Sequence, residues 1–254
     1  MSGSLTIVGL GPGPAYWITP EAQAILKGAS DLVGYGPYLD RIPPRDGQIR
    51  HGSDNRVELE RAHLAIDLAQ AGRHVAVVSG GDPGVFAMAA AVFEVIEARP
   101  EHERDVPVQV VPGISAMLAA AARLGAPLGH DFCVISLSDN LKPWDIIAKR
   151  LRLAAEGDLV IAIYNPVSKA RPQQLGQAFV ILAESKPPET VVAFARAIGR
   201  ADERITLTTL ADADPGEADM STLVLVGSTE TRLIPRPLGL PWVLTPRSYG
   251  AGGR

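Results

Sequence analysis

Apolar and polar positions follow two rhythms along this chain. LTIVGL (5–10), HVAVVSG (74–80) and VQVVPG (108–113) are short, nearly unbroken apolar runs, the pattern of parallel strands buried on both faces. Between them, TPEAQAILKGAS (19–30), NRVELERAHLAIDLAQAG (55–72) and GVFAMAAAVFEVIEA (84–98) carry helical spacing. Thr19 fits an N-cap with Pro20 in the first helical position, and Gly72 fits a C-terminal stop. This alternation predicts βαβ units and a mostly parallel sheet. The second half changes character. DFCVISLSD (131–139), DLVIAIYNP (158–166), TVVAFARAIG (190–199), RITLTTLAD (204–212) and STLVLVGS (221–228) give five strand candidates, separated by clear helices only near 143–156 and 171–184. Fewer helices per strand predicts a mixed sheet with hairpins. The expected organisation is α/β throughout: an N-terminal domain over 1–112, a C-terminal domain over 113–247 joined near Pro112–Gly113, and a flexible tail over 248–254.

Composition narrows the class. The 254 residues are 46% apolar and 20% charged, which suits a globular chain with a sizeable core. A net charge of −4 and the lack of a basic patch with interleaved aromatics give no reason to expect nucleic acid or an anionic membrane as partner. The single cysteine, Cys133, excludes an internal disulfide framework and a multi-cysteine zinc site, and reads as a buried, inert thiol in a strand. No signal-peptide pattern and no run near ~18 consecutive apolar residues is present, so a cytoplasmic protein without a membrane span is expected. The five histidines show no metal-ligand spacing, and no bound metal is expected.

Three turns carry the candidate chemistry. GLGPGP (9–14) follows the first strand and half fits a dinucleotide fingerprint. The third glycine falls one residue early, however, and two prolines delete N–H donors that a phosphate needs. The acidic residue expected after the second strand is also missing, since Asp31 precedes LVGYG. A rigid structural turn and a substrate-facing loop both remain open for this stretch. SGGDP (79–83) ends a strand in glycines and Asp82-Pro83, where Asp82 is either an N-cap or a ligand group. PGISA (112–116) turns into an alanine-rich helix, with Ser115 either a helix-start hydroxyl or a contact. All three close adjacent βα units, so they are expected to cluster at one edge of the sheet, facing the second domain across a cleft.

This ordered trio, Gly9–Gly13, Gly80–Pro83 and Pro112–Ala116, resembles the tetrapyrrole methyltransferase family over nearly the whole chain. Within it, LVGYGPYLDRI (32–42), SLSDNLKPWDIIAKRL (136–151), IYNPVSKARPQQL (163–175) and LTPRSYG (244–250) look most like the branch that acts on precorrin-3B. The resemblance implies a two-domain (class III) α/β methyltransferase fold of kidney shape, a homodimer, and S-adenosylmethionine as methyl donor, leaving as S-adenosylhomocysteine. The implied reaction is methylation of ring carbon 17 with ring contraction to precorrin-4 in cobalamin biosynthesis. By matched position, Gly81, Asp82, Val85, Phe86, Ser115, Ala116, Tyr164, Asn165, Ala197 and Thr222 are expected to meet the cofactor, and Pro12 the substrate. The loop reads SGGDPGVF where this branch more often has SSGDPGVY, which leaves Phe86 no hydroxyl for a polar contact.

Methyl transfer from a sulfonium needs alignment and exclusion of water rather than a protein nucleophile, which fits a chain without an evident triad. A substrate rich in carboxylates calls for cations; Arg41, Arg45, Lys142, Lys169 and Arg171 are the candidates, weighed against plain surface charge. Tyr35, Tyr38 and Trp144 are candidates for stacking on pyrrole rings, weighed against core packing. Ring contraction asks for acid–base help, with Asp82 and Asp139 the carboxylates best placed in loops and the substrate's own carboxylates as the alternative. Transient hand-over to other corrin-pathway enzymes is a possible partner relation. The rival readings are a sibling enzyme acting at another ring position or on a cobalt-containing substrate, and a tetrapyrrole carrier without catalysis.

Overall fold

A computed structural model describes residues 3–54, 57–101 and 105–249. The chain divides into two compact units, Met1–Ala116 and Met117–Arg254. The division falls past the Pro112–Gly113 turn because Gly113 and Ile114 pack against loops of the first unit.

In the first unit, β1 (Ser4–Gly9), α1 (Pro20–Gly28), β2 (Asp31–Tyr35), the single turn α2 (Gly36–Leu39), β3 (Ile49–Ser53), α3 (Glu58–Gln70), β4 (His74–Ser79), α4 (Met88–Ala98) and β5 (Val108–Val111) follow one another. The strands form one sheet in the order β3-β2-β4-β1-β5, and every pairing is parallel. Side-chain alternation splits the core between its faces. Leu5, Ile7, Val33, Val75 and Val77 meet α3 and α4. Val8, Leu32, Ala76, Val78 and Val111 meet α1, Leu39 and Ile42. Thr19 caps α1 as expected, its Oγ1 accepting from the Ala22 amide at 3.2 Å, with Pro20 first in the helix. Gly72 follows α3 at φ +85°, the left-handed exit that glycine favours.

Asp31, fully buried at the start of β2, accepts hydrogen bonds from Ser30 Oγ (2.7 Å), His51 Nε2 (2.9 Å) and Arg73 Nε (2.7 Å). Burial alone would raise its pKa; the bonds from Arg73, His51 and Ser30, with the charge of Arg73, outweigh burial and hold it below the usual carboxylate value. A folded pKa below the unfolded one adds stability that is complete above the unfolded value and lost as pH falls through the folded one. Asp31→Asn is therefore expected to lower stability at neutral pH by about 2 kcal/mol. The gap to wild type should shrink below roughly pH 4. Urea unfolding from pH 2.5 upward checks this; a gap constant with pH would exclude it.

The second unit carries α5 (Ala116–Leu124), which begins at the division, then β6 (Gly125–Ala126), β7 (Phe132–Ser136), α6 (Trp144–Glu156), β8 (Val160–Tyr164), α7 (Gln174–Leu182), β9 (Val191–Arg196), β10 (Arg204–Thr209), β11 (Thr222–Val226), β12 (Arg232–Ile234) and β13 (Trp242–Leu244). Its main sheet runs β10-β9-β11-β8-β7. The β7–β8 pair is parallel and the others antiparallel, so the sheet is mixed, as the sequence predicts. α6 and α7 cover one face through Ile147, Leu151, Leu175 and Phe179. A small sheet, β12-β13-β6, was not legible in the sequence.

Cys133 lies half-buried in β7, and burial pushes its thiol pKa up to about 11, so the thiolate that would make it reactive does not form near neutral pH. No helix among the described residues is long and apolar enough to cross a membrane. Of the tail expected to be flexible, Tyr249 is held: its hydroxyl donates to Asp158 Oδ2 at 3.0 Å. Residues 250–254 lie outside the described residues. Asp158, at φ +52°, also accepts from the amide and hydroxyl of Thr229 and from Lys186 Nζ. Burial would raise the Asp158 pKa, but the Thr229 bonds, the Lys186 charge and the Tyr249 bond bring it below its usual value. Nearby, Thr245 Oγ1 donates to the Pro127 carbonyl at 2.6 Å.

Candidate functional site

The three glycine turns of the first unit meet backbone to backbone at the C-terminal end of the sheet. Beyond β1 and β4 the pairing continues, with Leu10 N donating to Ser79 O (2.9 Å) and Gly11 N to Gly81 O (3.1 Å). A Cβ on Gly113 would lie 2.3 Å from Gly81 O and 2.9 Å from Gly9 Cα; one on Gly9 would lie 2.6 Å from Gly113 N. Gly11 and Gly81 have φ of +64° and +69°. The glycines are thus required by close approach and by turn geometry.

The GLGPG turn aims its carbonyls, and not its amides, at a charge. Arg41 donates from Nη1 to Gly11 O (2.9 Å) and from Nη2 to Leu10 O (2.8 Å) and Gly13 O (2.7 Å). The amides of Leu10 and Gly11 are already spent on the Ser79 and Gly81 carbonyls, and Pro12 and Pro14 have none, so the turn lacks the free donors of a phosphate cradle. Arg41, a candidate for substrate carboxylates by sequence, holds this turn. Arg45, the second candidate, donates to the carbonyls of Lys27 and Ala29. Pro12 is half-buried within the turn.

Asp82 joins two of the turns. Its Oδ1 accepts from Gly84 N (2.8 Å) and its Oδ2 from Gly113 N (3.1 Å). The next helix starts only at Met88, with Ala87 in the cap position, so the N-cap reading of Asp82 does not hold. Between Asp82 and that helix lie Val85, half-buried, and Phe86, 52% exposed at φ +52°. Ser115 is buried beside half-buried Ala116 at the start of α5. Tyr38 reaches the same place: a Cβ on Gly80 would lie 2.6 Å from its Cζ, and its ring stands edge-on to Tyr35 at 5.3 Å.

Sequence reasoning missed Arg61. This buried guanidinium donates to Ser53 Oγ (2.9 Å), Asp54 O (2.7 Å) and Met88 Sδ (3.1 Å), tying the end of β3 to the start of α4. Burial lowers its pKa, against the opposing pull of Glu58 and Tyr38. The signal was its place on the apolar stripe of α3 with Ala62, Ala65, Ile66 and Ala69.

In the second unit the candidates gather at one end of the main sheet. Tyr164 closes β8, and its hydroxyl accepts from Met117 N at 3.0 Å. Asn165 follows at φ +51°, its side-chain amide assigned as donating to Ser136 Oγ at 3.0 Å. Ala197 follows β9 at φ +50° and is buried. Thr222 opens the antiparallel β11 opposite Arg196. Among the described residues, the non-glycine positions with positive φ are Phe86, Asp158, Asn165 and Ala197, and all but Asp158 are expected cofactor positions. Such backbone strain concentrates at functional sites.

Arg171 and Asp139 sit there too, in roles the sequence did not indicate. Arg171 is buried, donating to Asn165 O (3.2 Å) and Leu137 O (3.5 Å), with Nε 3.8 Å from Asp139 Oδ1. Asp139 Oδ2 accepts from Gln174 Nε2 at 3.1 Å. Both side chains therefore brace the NPVSKARP loop from inside. Lys169 is exposed at the tip of the Ser168–Arg171 turn. Lys142 is half-buried, and burial with the nearby Arg150 charge lowers its pKa. Trp144 packs partly against the core of α6 and α7. No group of three or more His, Cys, Asp or Glu able to hold a metal exists among the described residues.

Comparison with known proteins gives a consistent picture. The precorrin-3B C(17)-methyltransferase of Sinorhizobium sp is 55% identical over 254 residues, covering 100% of both chains. The probable cobalt-factor III C(17)-methyltransferase of Salmonella typhimurium is 43% identical over 248 residues, covering 96% of this chain and 99% of its own. The crystal structure of the methyltransferase CobJ superposes with a TM-score of 0.91 at 53% identity, covering 96% of this chain and 100% of that one. Residues 4–214 match the family of tetrapyrrole (corrin/porphyrin) methylases. With the predicted loop trio meeting at one sheet end and a relative matched over its full length, this chain belongs to the tetrapyrrole methylase family.

Proposed function

We propose that this chain transfers a methyl group from S-adenosylmethionine to carbon 17 of precorrin-3B, with ring contraction to precorrin-4, in cobalamin biosynthesis. The observation that carries the reading is the full-length similarity to a C(17)-methyltransferase at 55% identity. The site residues fit the donor. Gly81 offers backbone without a side chain, Ala116 and Ala197 are small, and Phe86, Asn165 and Ala197 hold left-handed backbone. When bound, S-adenosylmethionine supplies a methyl group already activated by its sulfonium.

The protein's task is then to bind, orient and exclude water. Gly81, Val85, Phe86, Ser115, Ala116, Tyr164, Asn165, Ala197 and Thr222 are the residues this reading gives to that task. Pro12 and Tyr38, with Lys169 and Lys142, are the substrate side of the reading, the lysines answering the macrocycle's carboxylates. Asp82 and Asp139 are committed to hydrogen bonds that hold loops, so their part is positioning. The protons of ring contraction fall to water or to the substrate's own carboxylates. A homodimer completes the reading.

Incubation with precorrin-3B and methyl-labelled S-adenosylmethionine tests it. The expected product carries one label and shows the spectral change of a contracted ring. An unlabelled macrocycle overturns the enzyme reading. Turnover of cobalt-factor III in place of precorrin-3B would move the assignment to the cobalt-containing substrate.

A further inference from the structure

Ala197, in its unfavourable backbone conformation, directly follows an ion-paired residue in a network that no sequence motif announces. Its amide donates to Ser221 O at 2.9 Å, and its carbonyl accepts from Arg200 N at 2.9 Å. Immediately before it, Arg196 donates from Nε to Asp219 Oδ2 (2.7 Å) and from Nη1 to Asp202 Oδ2 (2.7 Å). Asp219 uses its other oxygen on the far side, where Oδ1 accepts from Ser221 N (2.8 Å) and from Thr222 Oγ1 (2.8 Å). The Asp219 amide returns a bond to Thr222 Oγ1 at 3.0 Å. The Thr222 hydroxyl thus spends its only proton on Asp219. One carboxylate therefore fixes Arg196, next to Ala197, and Thr222 at the same time.

The Arg196 and Asp219 side chains are 31% and 46% exposed. A pair so open to water adds little to stability, so what it contributes is geometry. Partial burial would raise the Asp219 pKa, but the bonds it accepts from Thr222, Arg196 and Ser221, with the Arg196 charge, outweigh burial and hold it below its ordinary value.

We propose that Arg196 and Asp219 form a positioning unit that sets the Ala197 backbone and the Thr222 side chain as one piece for adenosylmethionine binding. This rests on the cofactor site proposed above. Neither residue need touch the ligand; each acts through its neighbour.

Calorimetric titration with S-adenosylhomocysteine tests the unit in wild type, Asp219→Ala, Arg196→Gln and the double variant. Each single variant is expected to weaken binding about tenfold or more, because small displacements at a ligand site are costly. Melting temperature should move by less than about 4 °C. The double variant should bind about as weakly as either single one, since both changes break the same unit. In turnover, KM for S-adenosylmethionine should rise while KM for the tetrapyrrole stays put. Ala197→Gly placed in the Asp219→Ala protein should recover part of the lost affinity, because glycine adopts this backbone without the strain. If Asp219→Ala does not fold, Asp219→Asn and Arg196→Lys carry the same comparison. Wild-type binding with single variants equally tight overturns the positioning unit and leaves the cofactor site standing. Wild type that fails to bind overturns the cofactor site and the unit with it.

Discussion

Alanine at Gly113 is expected to melt the protein roughly 10 °C early and to abolish measurable cofactor binding, a cost of about 3 kcal/mol or more. The added carbon would stand 2.3 Å from the Gly81 carbonyl oxygen and 2.9 Å from Gly9 C and Cα. All these neighbours are backbone, so no side chain can rotate away. Relief requires moving the end of β5 off the β1 and β4 loops, which breaks the Gly113–Asp82 bond and strains the Gly11–Gly81 bridge. Gly28→Ala is the matched control, because nothing lies within 4 Å of a Cβ there. Calorimetric melting and S-adenosylhomocysteine titration of both variants check the result. A Gly113→Ala protein as stable as the control would show that the three turns do not need their close contact.

The second large effect is at Asp82. Its removal strips the Gly84 and Gly113 amides of a charged acceptor, and such bonds contribute about 1.5–3 kcal/mol each. Asp82→Ala should weaken S-adenosylhomocysteine binding by roughly ten- to a hundredfold, with the fold preserved. Asp82→Asn keeps one acceptor oxygen and should fall between. A proton-transfer role would instead lower kcat with affinity intact, so the split between kcat and cofactor affinity decides between clamp and acid–base group.

The parts legible in the sequence share a physical cause. β1 and β4 are central strands buried on both faces, which forces the unbroken apolar runs at 5–10 and 74–80. The three glycine turns were legible because backbone contact tolerates no Cβ, and glycine is the visible trace of that demand. β3 was illegible because IRHGS is an edge strand with Ile49 exposed, held by backbone pairing to β2 and by polar side-chain bonds at His51 and Ser53 rather than by an apolar face. The small sheet was too short and too exposed to leave a period.

At the site, residue types were legible and their partners were not. Asp82 next to Pro83 looks like a helix cap, while its second partner, Gly113, is distant in sequence. Arg41 and Arg171 looked like cations awaiting a carboxylate; only the fold shows loop carbonyls already around them. Left-handed backbone at Phe86 and Ala197 leaves no mark on composition, because neither is glycine. Ion pairing around Asp219 is equally silent, since any surface helix or turn carries similar charges.

The hydroxyl of Tyr249 on Asp158 bears on the order in which the chain is made. Every strand of the first sheet and all three turns lie before Met117 in the chain, so that unit can close while the rest is still being synthesised. The second unit waits: Asp158, at the entrance to β8, receives Lys186, then Thr229, and last Tyr249. Its hub is completed only when residues more than ninety positions downstream arrive. A ribosome pausing late in this message would hold a finished first unit beside an unlatched second one.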